Sequence, residues 1–405
     1  FSTYLYTGTG STAQTINNGI DLAGEGGMTW IKSRSHALNH VLQNSESGIT
    51  KSLHCNTTDA ENASAPYLTS YNSNGFTLAS GGWYETNETA YEYASWTFRK
   101  APKFFDVVTY TGTGANRWIS HSLGSTPAMV IVKRTDSANG WFVYHVGGGN
   151  AGYYDINLIN AFEPNVNFWN STTPTDTQFR LGTEAQVNSN GGTYVAYIFA
   201  DNTAEDLDNQ MIKCGSYVGN AVFDGGPEIN LGWEPQWVLI KNSSDNGDWF
   251  IYDSMRGIVT GSSDPYLKAN TTAIESSTTG MNLLPTGFQI TGNNAGENGS
   301  GATYIYMAIR APMMKKPTAA TDVFAVDTRG SSAATADGVV WHSGFPVDLA
   351  IQKNVTGVSS PAAYDRFRGA YSLFTDTTAA ESNQGGHKFD SMNGFDVRTL
   401  SAATN

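Results

Sequence analysis

The chain has 405 residues, a formal net charge of −13, and 23 lysines and arginines against 36 aspartates and glutamates. That balance argues against nucleic acid as a partner, since phosphates demand clustered basic side chains, and the lack of any apolar run of about 18 residues argues against insertion of a helix into a membrane. Charged residues at 15%, aromatics at 12% and 43 glycines suit short strands joined by turns and do not suit helical bundles.

The first predicted element is a strand running into a glycine turn, Tyr4-Leu5-Tyr6-Thr7-Gly8-Thr9-Gly10. It returns as Val108-Thr109-Tyr110-Thr111-Gly112-Thr113-Gly114, more weakly as Tyr217-Val218-Gly219-Asn220, and in outline as Phe324-Ala325-Val326-Asp327-Thr328-Arg329-Gly330. With no helix to follow, the glycines read as a turn that needs positive φ and not as a phosphate cradle.

Next comes an apolar run closing on a lysine: Trp30-Ile31-Lys32, then Met129-Val130-Ile131-Val132-Lys133, Trp237-Val238-Leu239-Ile240-Lys241 and Leu349-Ala350-Ile351-Gln352-Lys353. The lysines are 101, 108 and 112 residues apart, a domain-sized period. Each run reads as a buried strand whose terminal lysine reaches water. Eight residues past the lysines stand His40, Trp141, Trp249 and Pro361, after turn sequences such as Asp136-Ser137-Ala138-Asn139-Gly140, so the predicted unit is a β-hairpin present four times.

An acid-and-glycine segment follows: Asn44-Ser45-Glu46-Ser47-Gly48, His145 to Gly149, Asp253-Ser254-Met255-Arg256-Gly257 and Asp365-Arg366-Phe367-Arg368-Gly369. It is predicted to be a loop held by an internal ion pair, because a catalytic carboxylate would not be exchanged for Asn and His among copies. Strands beginning at Gly75-Phe76, Gln178-Phe179, Gly287-Phe288 and Gly394-Phe395 come next, and aromatic strands around Tyr93-Phe98, Tyr194-Phe199 and Tyr304-Ile309 close the first three copies.

These elements predict an all-β chain, a tandem array of four related antiparallel β-sandwich modules of jelly-roll-like type at 1–103, 104–208, 209–317 and 318–405, the last incomplete. Short linkers with proline predict an elongated or curved array whose neighbours touch. The start at Phe1 and the missing closing strand of the fourth module predict a segment of a longer polypeptide. Cys55 and Cys214 fall at non-equivalent positions and are expected to be free, buried thiols.

No nucleophile elbow, zinc-protease helix or P-loop is present, and no catalytic residue, metal site or cofactor is predicted. His36 and His40 sit in a turn without an acidic partner, and the acidic linker Asp201 to Asp208 lacks the oxygen spacing of a calcium loop. Repetition favours a binding or structural surface over a catalytic site. Trp83, Tyr84, Trp141, Trp169 and Trp249, beside the predicted turns, are the candidates for stacking on a glycan, with core packing as the competing reading.

The succession Tyr-Thr-Gly-x-Gly, apolar-Trp-Ile-Lys-x-Arg, Asp-Ser-x-Arg-Gly, Asn-Gly-Phe and Tyr-x-Ala-x-x-Phe resembles a repeated domain of tail fibres and other virion proteins of tailed, particularly marine, bacteriophages. The resemblance rests on Tyr6 to Gly10, Trp30 to Arg34, Asn74 to Phe76, Trp237 to Lys241 and Asp253 to Gly257. It implies an extracellular virion structural protein in a homo-oligomer, by analogy with trimeric fibres, whose partners are other virion subunits and a host surface glycan or receptor. It carries no active site. The alternatives are a carbohydrate-binding or depolymerising protein and a bacterial surface adhesin.

Overall fold

The structure is a computed structural model that describes residues 1–201, 205–206, 209–260, 263–312, 318–328, 339–355, 357–369, 371–384 and 387–397. It is almost entirely antiparallel β. The described strands form eight sheets, which sort along the chain into four pairs.

In the first pair the large sheet runs Ser2–Thr7, Glu92–Arg99, Gly27–Ser33, Val41–Asn44, Leu53–His54 in spatial order, and the small sheet runs Gln14–Asn17, Gly75–Leu78, Leu68–Asn72. First strand beside last and second beside last-but-one is jelly-roll pairing. The tight lysine hairpin, however, keeps the strands that follow it in the large sheet. The same order recurs with Phe105–Thr111, Thr193–Ala200, Pro127–Arg134, Trp141–His145, Gly149–Asp155, and again with Ile212–Val218, Thr303–Arg310, Pro235–Asn242, Trp249–Asp253, Asp264–Lys268. In the fourth pair, Leu349–Gln352, Ala362–Asp365 and Tyr371–Phe374 repeat the lysine hairpin and its neighbour. Residues 324–328, predicted as its opening strand, form no strand, and Arg329 and Gly330 lie outside the described residues.

The turn and strand glycines are explained by geometry. Gly10 and Gly114 take φ of +69° and +73°. A Cβ on Gly75 would lie 1.9 Å from the Ile16 carbonyl oxygen and one on Gly287 1.9 Å from that of Ile229, so the Gly-Phe strands start where two backbones nearly touch. Each opening turn is also clamped by a buried asparagine: Asn87, Asn188 and Asn298 accept from the backbone N–H of Thr9, Thr113 and Asn220 at 2.9, 2.9 and 2.8 Å.

The long lysine strands are apolar on both faces because both faces are covered. One face packs on the small sheet of the same repeat, as Ile31 shares a core with Ile16, Phe76 and Leu78 in the first repeat. The other meets the corresponding face of the other two repeats. Met28, Trp30 and Trp96, Met129, Ile131 and Tyr197, and Trp237, Leu239 and Met307 belong to one continuous apolar core.

Repeats one to three therefore close on each other in a ring, with contacts from one to two, two to three and three back to one. An elongated or curved array whose neighbours touch is the expectation; the neighbours do touch, and the array curves until the third repeat meets the first. Short linkers limit reach, but they do not stop apolar faces from turning inward to bury one another. The fourth repeat has a small core of its own around Val347, Tyr364 and Phe395. It touches repeat three through the backbone bond from Thr260 N–H to the Phe367 carbonyl.

Candidate functional site

The recurring polar side chains converge on the three seams of the ring. At each seam the lysine that was expected in water is fully buried. Its ammonium joins its own turn to the neighbouring repeat. Lys133 donates to the carbonyls of Asn139 at 2.6 Å and Thr58 at 3.0 Å, and Lys241 to those of Gly247 and Ile159, both at 2.8 Å. Lys32 donates to Ser33 at 2.8 Å and to Thr272, 240 residues away, at 3.2 Å. Burial pushes all three ammonium groups down to about 8 from 10.5.

A second contact lies beside the first. The residue eight past each lysine gives a ring N–H to the same neighbour: Trp141 Nε1 to the His54 carbonyl at 3.1 Å, Trp249 Nε1 to that of Asp155 at 2.8 Å, and His40 Nε2 to that of Lys268 at 3.0 Å. Because Trp30 Nε1 donates to His40 Nδ1 at 2.9 Å, the proton of the neutral imidazole sits on Nε2. Burial holds His40 well below its ordinary value, which keeps the ring neutral, and the two hydrogen bonds fix its tautomer.

A third contact reaches the repeat on the other side, twelve residues past each lysine. Asn44 Nδ2 donates to Tyr197 Oη at 3.1 Å, His145 Nε2 bonds the Tyr306 carbonyl at 3.1 Å, and Asp253 Oδ2 accepts from Trp96 Nε1 at 3.1 Å. Asp253 is also paired with Arg256 at 2.6 Å, both fully buried, so the predicted internal ion pair is present and faces a seam. The closing seam adds a two-pronged pair from Arg34 to Glu275 at 2.8 Å, and Arg34 reaches Asp390 of the fourth repeat at 3.0 Å.

The glycan candidates divide. Trp141, Trp169 and Trp249 are 0%, 2% and 1% exposed, so they offer no face to a sugar. Two of them supply seam N–H groups, and Trp169 donates to the Gly152 carbonyl at 2.9 Å. Trp83 is half-buried against Tyr67, with ring centroids 5.4 Å apart, and Tyr84 is exposed at 58%. A turn position suggested exposure for the tryptophans. Ring closure covers Trp141 and Trp249, and packing on Tyr144 and Phe168 within the second repeat covers Trp169.

Carboxylates are also drawn inside. Burial raises Asp155 and Asp264 to about 7, yet Asp264 accepts from the backbone N–H of Val259, Gly280 and Met281, and Asp155 lies under Trp249 at the second seam. Both are buried. The two cysteines are free and buried; Cys55 Sγ donates to the Ala269 carbonyl across the closing seam. Among the described residues no three His, Cys, Asp or Glu side chains are grouped to hold a metal ion, and no helix is long and apolar enough to cross a membrane. Asp201, Glu205 and Asp206 of the acidic linker are described, with Glu205 bonded to Lys103 at 2.7 Å, while 202–204 and 207–208 lie outside the described residues.

Residues 1–312, the whole ring, match the family described as Domain of unknown function (DUF7483). The chain belongs to that family. The family's span coincides with the three repeats that share one core, and the fourth repeat lies beyond it. No curated protein and no solved structure matches the chain.

Proposed function

We propose that the chain is a non-enzymatic structural protein of a bacteriophage virion, part of a tail fibre or surface fibre, acting outside the cell as a spacer or in host adhesion with other virion subunits as partners. One observation carries the structural part of this reading. The polar groups that recur in repeats one to three are spent on joining those repeats, and the strongly shifted carboxyls are sealed inside. A catalyst needs some of those groups at an opening. The virion context is supported by the resemblance of the repeated motifs to phage fibre domains.

The test is immunogold labelling of purified particles with antibody raised against the chain. Label along a fibre or spike supports the reading. Label confined to host lysate, with none on particles, overturns it.

A carbohydrate-binding role is favoured by one surface feature: exposed Tyr84 lies 6.5 Å from Tyr91, which stacks on His36 at 3.4 Å. Among the described residues the cluster occurs in the first repeat alone, so it would give one weak site and not an array. Glycan-array binding abolished by Tyr84→Ala would establish it.

A further inference from the structure

The ring supplies a template for reading the fourth repeat. In repeats one to three the cross-strand rows Trp30, Leu42, Leu53, then Ile131, Val143, Tyr154, then Leu239, Ile251, Leu267 line the shared core. The same register in repeat four gives Ile351, Ala363, Leu373. Here Ile351 is 66% exposed and Leu373 40%, and Leu349, in the place of Met28, Met129 and Trp237, is 59% exposed. The apolar pattern is kept, and among the described residues nothing covers it. Leu349–Gln352 is also an edge strand among those residues, whereas its counterparts are paired with a closing strand.

The lysine contact is present in two open halves. Lys353 is exposed and donates to the carbonyl of Ser359 in its own turn, matching the bonds of Lys133 to Asn139 and Lys241 to Gly247. In the ring the second acceptor always stands five residues past the last member of the row: Thr58, Ile159 and Thr272. The residue five past Leu373 is Thr378, which is exposed.

We propose that three copies of this chain meet through their fourth repeats, burying Leu349, Ile351 and Leu373 at a common centre, with Lys353 of each copy donating to the Thr378 carbonyl of the next. Donor and acceptor lie on different patches of one repeat, so the contact is head-to-tail, and repeats one to three show that this geometry closes after three. Pro361 stands where the ring has a tryptophan or histidine N–H, so one bond of the seam is missing and the association is weaker than the internal one, on the order of micromolar. The argument rests on the register of the fourth repeat and is independent of the virion reading.

The test is sedimentation velocity of the full chain from about 1 to 100 µM, with far-UV circular dichroism to confirm folding. The expected species at the upper end contains three chains of 43.5 kDa each. Ile351→Lys and Leu373→Asp, exposed in the single chain, are expected to fold and remain monomeric, and Lys353→Met to associate about tenfold more weakly. Phe223→Lys, an exposed position of repeat three, should leave the trimer intact. A monomer or dimer at the highest concentration overturns the proposal, as does a trimer undiminished by both Ile351→Lys and Leu373→Asp.

Discussion

A lysine ammonium held by carbonyl oxygens in a fully buried seam is a costly arrangement, and its cost depends on pH. Below about pH 8 both folded and unfolded chains hold the proton, and the full penalty of burying the charge is present. Between about 8 and 10.5 the folded chain releases protons that the unfolded chain keeps, so the lysine contribution to stability rises with pH. The thermal midpoint is therefore expected to rise from about pH 7 to about pH 9, before thiols and phenols of the unfolded chain ionise and reverse the trend. A flat or falling midpoint over that interval would refute the assignment. Lys133→Met leaves the Thr58 and Asn139 carbonyls without their donor and is expected to cost about 1–3 kcal/mol, read from denaturant unfolding. The same substitution should flatten the pH-dependent rise by one lysine's share.

At the scale of elements, the position twelve past the lysine shows how one seam tolerates three chemistries. Asn44, His145 and Asp253 all bond the closing strand of the next repeat, but only Asp253 brings a buried cation, Arg256, three residues on; Ser47 and Gly148 occupy that place elsewhere. Asp253→Asn alone takes away the nearest anion of Arg256, leaving it Glu275 at 3.4 Å and the Ile251 carbonyl at 2.9 Å, and is expected to lower stability by about 3 kcal/mol, the low end for a broken buried pair. Asp253→Asn with Arg256→Ser, the pair of the first repeat, should recover most of that loss in a double-mutant cycle. Equal losses in the single and double variants would mean that the guanidinium is not the source of the cost.

The hairpins, the Gly-Phe strands and the closing strands were legible because each is set by alternation and turn chemistry within a few residues, as with Trp237 to Lys241. The burial of Lys32, Trp141 and Trp249 was not. Their partners Thr272, His54 and Asp155 lie 240, 87 and 94 residues away, and no local pattern announces a carbonyl supplied from that distance.

For the whole molecule, the shared core makes the three repeats one cooperative body. A segment spanning 104–208 excised alone would expose Met129, Ile131 and Tyr197 together and is expected not to fold, whereas 1–312 should fold and unfold in a single transition. Native-like near-UV circular dichroism from the isolated middle repeat would contradict this. Ring closure also has a consequence for synthesis. The first two repeats leave the ribosome with their inner faces bare, and the seam from three to one, with Arg34 waiting for Glu275, cannot form until the closing strand Thr303–Arg310 has been made. For that interval the nascent chain carries an open apolar trough, so chains stalled or truncated near residue 208 should be captured by holdase chaperones or aggregate, while those released past residue 312 should not.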